Sequence, residues 1–434
     1  MDNALATPAS KAVRRGAKRR AAPAVEHSML LTATLCLLAL GAVMVYSASA
    51  PALLSGGGSG TSELVSFAGW GLFGLLAMEV VARRGVGTLR AMTGPLLALA
   101  FVLLLAVRLP HLGHSTNGAQ RWIGAGPFEF EPSELMKLAL VLYAAQVLAG
   151  RSGSRAALPV ALKRLGIVGG AAGLLVISQP DLGTTLVITF TLAAMVVAAG
   201  VPLRWLAYAV VPCVCLVLVF SMLEPYAVNR LTSFVNPWAH ASGTGYQAVQ
   251  GQIAIGSGGL LGRGPGGGVT KDFYLPNGST DFILAVIGEE LGVVGIGAVL
   301  CLYGLLIYAG LRVARSARDS YSLLLAAGVT SLIAVQAILN VFAVLSLAPL
   351  TGVPLPFVSY GSSSQLVMLV SLGALLAISR ESAVALHLVE RTRERNERRS
   401  GSGSASPDSD RGGWDRGTRH AGAGDRRRAG HARR

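Results

Sequence analysis

Charge is scarce in this chain. Asp, Glu, Lys and Arg make up 14% of its 434 residues, where a soluble protein carries about 25%. Hydrophobic residues make up 52%, and mean hydropathy is +0.56. An ordinary soluble domain is excluded. Cysteine is scarce too. Cys36, Cys213, Cys215 and Cys301 all lie in apolar runs without metal-type spacing. They read as small buried hydrophobes, neither a disulfide framework nor a zinc centre. The seven histidines form no zinc pattern, and His111 and His114 are a weak pair in a loop. Gly262, Gly264 and Gly267 satisfy G-x-G-x-x-G. No strand precedes them and no βαβ unit follows, which excludes dinucleotide binding. No strong internal repeat or inverted pair of halves is visible, which counts against a standard secondary transporter.

Acidic residues are few as well, 22 against 37 Lys and Arg, for a net charge of +15. Much of the excess lies in two tails, Lys11 to Arg20 and Arg380 to Arg434. Beside membrane spans, basic tails set topology and touch anionic lipid. No nucleic-acid partner is expected.

Long apolar runs are what the chain does have. About 20 such residues cross a bilayer as a helix. Spans are expected near 28–49, 63–82, 88–108, 133–149, 165–178, 183–200, 204–222, 281–310, 322–346 and 361–379. Pro180 and Gly183 favour a tight turn between two short spans over one kinked helix. Ala48-Ser49-Ala50 resembles a signal-peptide cleavage site, but the apolar core before it is too long, so a retained helix is preferred. With a cytoplasmic N-terminus, the basic segments around Arg83, Arg151 to Arg164, Arg204 and Arg312 to Arg318 all fall inside. The segments 50–62, 179–182 and 347–360 carry almost no Lys or Arg and fall outside.

The expected fold is therefore all-α: a polytopic membrane protein with ten transmembrane helices and cytoplasmic termini. Its large extracytoplasmic loop, 223–280, lies between helices 7 and 8. Three regions follow: a basic N-terminal tail (1–27), the membrane domain (28–380) and a basic, disordered C-terminal tail (381–434).

Four polar constellations interrupt this pattern. Asp281, after Ser279-Thr280, stands at the mouth of a membrane helix. Thr280 can cap that helix and an acid suits its first turn, so a capping role is the plain reading. The functional reading is a general base. Glu289 and Glu290 follow two turns later, and at least one should face the bundle interior. The second constellation is Arg121-Trp122, then Pro132-Ser133-Glu134 and Lys137. Glu134 and Lys137 share a helix face and read as a local ion pair, or as a holder for an anionic phosphate together with Arg121. Trp122 suits an interfacial anchor or a substrate contact. The third is the glycine-rich stretch Ile255 to Gly268, with Arg230 and Arg263 as the cations of its region. It is either a flexible loop or a backbone surface for sugar or phosphate. The fourth is Pro349 to Ser364, which includes Ser359 as a candidate contact. Its three prolines forbid a regular helix, so its backbone must be buried in protein or line a cavity. Asn340, in the span before it, needs a hydrogen-bond partner.

In this order and at these spacings, the stretches resemble the SEDS family of ten-helix bacterial membrane proteins. The resemblance covers roughly residues 28–380. Asn236-Pro237-Trp238, Gly245-Tyr246-Gln247, Gln252 to Gly259 and Thr280-Asp281-Phe282 look most like the family's division branch. Two positions depart from its pattern: Ser279 where His is usual, and Ser362 where a second Gly is usual. The resemblance implies polymerisation of lipid II into peptidoglycan, with Asp281 as catalytic base. Trp122, Arg121, Glu134, Lys137, Arg230, Arg263 and Ser359 are candidates for substrate contacts. It implies release of undecaprenyl diphosphate, a class B penicillin-binding protein as transpeptidase partner, other divisome proteins, and a place in the plasma membrane at the septum. It requires no certain cofactor and leaves a divalent cation open. The same chemistry in elongation or sporulation, and a lipid II flippase, are the competing readings.

Overall fold

The computed structural model describes residues 22–55, 59–109, 113–116, 119–124, 129–150, 158–202, 234–271 and 275–401. Ten α-helices are bounded there, beside a short 3-10 turn at Pro237–His240: α1 (Ala22–Ser55), α2 (Ser62–Arg84), α3 (Val86–Ala106), α4 (Pro132–Ala149), α5 (Leu158–Ile177), α6 (Leu182–Ala198), α7 (Tyr246–Gly258), α8 (Ile283–Ser316), α9 (Ser320–Val344) and α10 (Ser362–Gly401). A small hairpin, β1 (Gly113–Thr116) and β2 (Ala119–Ile123), pairs antiparallel between α3 and α4. Among the described residues, eight helices are long and apolar enough to cross a membrane, and α6 is a shorter apolar helix. These nine coincide with nine expected spans. The seventh, 204–222, lies outside the described residues, as does Arg230.

The chain divides into two compact units, Met1–Leu386 and His387–Arg434. In the second unit, residues 387–401 are described and are helical. The last helix thus continues well past 379, where the sequence reading ended its span. Residues 380–400 are rich in Ala, Leu, Glu and Arg, all strong helix formers that need no bilayer.

Within the first unit the spans divide into inner and outer helices. In α4, α9 and α10, 72%, 67% and 83% of the apolar window is buried by protein, against 22% in α2 and 17% in α3. α4 packs on α3, α6 and α9, and α8 packs on α1, α7 and α9. The outer helices approach through small residues. A Cβ at Gly71 would meet Gln365 Nε2 at 3.0 Å, and one at Gly373 would meet the Met78 carbonyl at 2.6 Å. Such contacts let membrane helices pack without a hydrophobic driving force.

α8 is not the single span expected from its apolar run. Gly292 has φ 67 and ψ −164, which breaks it into a short helix (283–291) and a long one (293–316). A break leaves orphan carbonyls on one side and orphan N–H groups on the other. The glycine-rich loop supplies both sets of partners. Arg263 N and Gly264 N donate to the Glu289 and Glu290 carbonyls at 3.0 Å each. Val293 N and Val294 N donate to the Gly259 and Leu260 carbonyls at 3.0 and 3.2 Å. Side chains would prevent this docking, because a Cβ at Gly258, Gly262 or Gly292 would collide with opposing backbone. The glycines serve close backbone approach, as read from sequence, but the surface approached is this chain's own helix.

Candidate functional site

Asp281 lies just before the short helix of α8 and is half-buried. The turn ahead of it is closed at Asn277, whose carbonyl accepts from Thr280 N and Phe282 N, both at 3.2 Å. Phe282 is the N-cap, without a side-chain capping bond. The Thr280 cap expected from sequence is therefore corrected. Its hydroxyl is engaged with the Asn277 carbonyl and with Asp281 Oδ1, both at 3.1 Å. The reason is geometric: the turn ends one residue later than the sequence suggested, so Thr280 stands too far back to reach the first helical N–H groups.

Two other elements hold the Asp281 segment. Tyr360 N donates to the Ser279 carbonyl at 2.9 Å. Asn340 Nδ2, from α9, donates to the Asp281 carbonyl and to the Val353 carbonyl, both at 2.8 Å. Asn340 thus finds its partner. The segment from Pro349 to Gly361 contains no helix, as its prolines require, and it bonds the chain at Ser279, two residues before Asp281.

One turn earlier on α9, Gln336 meets the second constellation. Lys137 Nζ donates to Gln336 Oε1 at 2.9 Å and lies 2.8 Å from Glu134 Oε2. The Lys137 side chain is wholly buried. Residues 336 and 340 are separated by a rise of about 6 Å along a helix. Side chains one turn apart on α9 thus hold the Lys137 ammonium and the Asp281 main-chain carbonyl, though the two residues are far apart in sequence.

Arg121 and Trp122 lie on β2, where Trp122 pairs with His114. Arg121 Nε donates to the Gln179 carbonyl at 2.9 Å, and its Nη2 to the Pro180 carbonyl. Its Nη1 lies 3.7 Å from Asp181 Oδ1. The tight turn expected at Pro180 is present, and Arg121 closes it. Sequence reasoning missed Asp181 and Glu131. Asp181 caps α6 through Thr184 N at 3.1 Å, a signal available in Asp181-Leu182-Gly183-Thr184. Glu131 precedes α4 and accepts from Ser133 Oγ at 2.6 Å. Burial, then the nearby Asp181 and Glu134 carboxylates, push its carboxyl up to about 8. Ser362 and Ser363 both donate to the Glu129 carbonyl, at 3.1 and 3.4 Å. The serine that departs from the family pattern thus ties the start of α10 to the segment just before α4.

Two candidates do not join this group. Arg263 Nη1 lies 3.5 Å from Glu289 Oε1, and Glu289 is eight residues, about 12 Å of helix, from Asp281. Ser359 Oγ accepts from Leu355 N at 2.8 Å, which closes a turn in the proline-rich segment. Glu289 and Glu290 are both fully buried. Glu290 accepts from Ser47 Oγ, Gly266 N and Lys271 Nζ, the last at 2.7 Å. Glu289 accepts from Val269 N at 2.8 Å and from Thr270. Among the described residues, no three His, Cys, Asp or Glu side chains converge as a metal site requires.

Residues 27–384 match the cell cycle protein family that unites FtsW, RodA and SpoVE. Stage V sporulation protein E of Bacillus subtilis (strain 168) is 38% identical over 362 residues, covering 82% of this chain and 97% of that protein. The probable peptidoglycan glycosyltransferase FtsW of Coxiella burnetii is 38% identical over 365 residues, covering 81% and 96%. Among solved structures, a chain from a peptidoglycan synthase complex that coordinates polymerization and crosslinking aligns with TM-score 0.67 at 29% identity, covering 81% and 97%. The rod shape determining protein RodA of Thermus thermophilus aligns with TM-score 0.58 at 28% identity, covering 81% and 96%. Nine apolar helices in the expected order, with Lys137 and the Asp281 main chain both bonded to α9, fit those likenesses along the membrane unit, and the chain belongs to the SEDS family of FtsW, RodA and SpoVE.

Proposed function

We propose that this multi-pass membrane protein, a peptidoglycan glycosyltransferase, polymerises lipid II by one inverting displacement with Asp281 as general base. The observation that carries the reading is that neighbouring positions of α9 hold the main chain of half-buried Asp281, through Asn340, and the buried Lys137 ammonium, through Gln336. In the reaction, Asp281 takes the proton of the acceptor sugar's C4 hydroxyl. That oxygen attacks C1 of the donor sugar, and the bond from C1 to the diphosphate breaks as undecaprenyl diphosphate leaves. The α-linked donor becomes a β-1,4 product, so no covalent enzyme intermediate is needed. Lys137 faces the diphosphate, where fixed positive charge offsets the charge that develops on departure. Glu134 orients Lys137. Arg121 shapes the rim through the 179–181 turn, and Trp122 beside it offers a flat apolar surface to a sugar. Arg263 and Ser359 receive no substrate role, because their contacts serve the fold.

In this reading both tails are cytoplasmic and the loop ending at Asp281 lies outside, which the distribution of basic segments supports. The division branch, a septal location and a class B penicillin-binding protein as transpeptidase partner belong to the same reading. They are supported by the motifs before Asp281 and by the likeness to a chain of a synthase complex. Purified protein in detergent, where no two sides exist, is expected to convert lipid II to polymer. Absence of product under conditions that support relatives would favour a flippase. For sidedness, Ser242→Cys is the probe, since Ser242 is exposed in the outer loop. An impermeant maleimide should label it in intact cells, and labelling only after permeabilisation would reverse the topology.

A further inference from the structure

α9 makes the same kind of bridge twice. Asn340 gives one amide hydrogen to the Asp281 carbonyl and one to the Val353 carbonyl, both at 2.8 Å. Gln336 accepts from Lys137 Nζ at 2.9 Å and donates to the Pro354 carbonyl at 3.1 Å and to Ser364 Oγ at 3.2 Å. Each amide therefore joins one charged residue of the site to one of two consecutive carbonyls in the proline-rich segment. Both side chains are almost wholly buried, at 1% and 0% exposure.

A primary amide suits both positions. It carries two donors and an acceptor on one rigid plane. A carboxylate has no donors for the paired carbonyls, and an aliphatic side chain would leave those carbonyls unsatisfied in a membrane interior. The fold needs partners for Val353 and Pro354. It does not need those partners to hold Asp281 and Lys137 as well.

We propose that Gln336 and Asn340 are positioning residues for glycosyl transfer, which fix where the Asp281 main chain, and with it the carboxylate, stands relative to the Lys137 ammonium by tying both to residues 353–354. The proposal rests on the reading of Asp281 as base and Lys137 as the cation for the diphosphate. In a displacement the attacking oxygen and the leaving group lie on opposite faces of C1. The distance between the groups that serve them is then a quantity the protein must set. A misplacement of about 1 Å lowers rates on the order of 100-fold. Asn340 acts on the base and should affect turnover. Gln336 acts on the cation and should affect binding.

The test is steady-state kinetics of lipid II polymerisation by the full-length purified chain, with melting temperatures measured in parallel. Asn340→Leu is expected to lower kcat about 10- to 100-fold while KM stays within about twofold. Gln336→Met is expected to raise KM about tenfold with a smaller change in kcat. Ile338→Ala, on the exposed face of α9, serves as control and should move neither. If Asn340→Leu does not assemble, Asn340→Gln keeps the amide but displaces it by one methylene, and it should fold with lowered kcat. Wild-type kcat in a folded Asn340 variant, or no split between the two positions, overturns the proposal. Asp281→Asn is assayed alongside. If it is inactive while Asn340 variants turn over normally, the positioning role alone fails. If it is active, the base reading fails and this proposal falls with it.

Discussion

Two buried acid–base clusters flank the short helix of α8, and they are built differently. At its far end, Glu289 and Glu290 receive donors from Ser47, Gly266, Val269, Thr270 and Lys271. Several of these are backbone N–H groups, and all come from segments the cluster staples together. At the near end, Lys137 has two partners among the described residues, Glu134 and Gln336. Asp281, whose main chain is bonded to the next turn of α9, is half-buried, whereas Glu289 and Glu290 are fully enclosed. Burial of charge is costly in either place. The first cluster uses its charge to close a loop onto a broken helix. The second ties a buried cation and the main chain of a partly exposed aspartate to neighbouring positions of one helix, an arrangement that suits a reaction.

The sharpest way to separate the clusters is to change each end alone. Asp281→Asn preserves shape and is expected to lower polymerisation by about 10² to 10⁴-fold, the range for a general base. Its melting temperature should stay near wild type. A variant that is active, or one that is inactive only because it unfolds, would erase the contrast. At the other end, Lys271→Met removes the cation paired with buried Glu290. Breaking one partner of a buried pair costs about 3–5 kcal/mol. A marked fall in melting temperature is expected, with activity lost in proportion to folded protein. A stable but inactive Lys271→Met would move this cluster into the reaction.

A subtler experiment asks whether the near cluster is itself only structural. Lys137→Met with Glu134→Gln replaces the pair by uncharged groups of similar shape, which should be close to neutral for stability. The double variant is expected to stay impaired, with KM for lipid II raised about tenfold or more. Full recovery would make the two clusters alike. The smallest effect concerns Glu131, whose carboxyl is raised to about 8. The folded state favours the protonated form, so stability is greatest in acid. It should fall as pH rises from the ordinary carboxylate range to about 8, and then level off. Glu131→Gln should flatten that slope in melting curves between pH 5 and pH 9, on the order of one buried carboxyl's worth. An unchanged slope would show that another group governs it.

Much of this was legible in the chain itself. Apolar length alone located nine spans, and the prolines at 349, 354 and 356 correctly removed any helix there. Asp281 stood out because a carboxylate at the edge of an apolar run is conspicuous. Gly292 did not. Leu291-Gly292-Val293-Val294 reads as continuous apolar helix, and the partners that permit the break lie some thirty residues upstream. Arg121 was legible as a cation but not as the clasp of the 179–181 turn, because carbonyl acceptors leave no trace in side-chain identity. Gln336 escaped for the same reason: one amide in an apolar span says nothing of the lysine it meets.

The break in α8 also bears on how the chain enters the membrane. Unaccompanied, it would carry four unbonded peptide groups, each costing several kcal/mol in hydrocarbon. All four are satisfied by residues 259–264, which the ribosome makes first. The loop must therefore be in place when residues 289–294 fold. An early folding step thus becomes a condition for insertion of the last three spans. Lengthening or deleting the 259–264 loop should strand the chain during biogenesis, before catalysis can be asked of it.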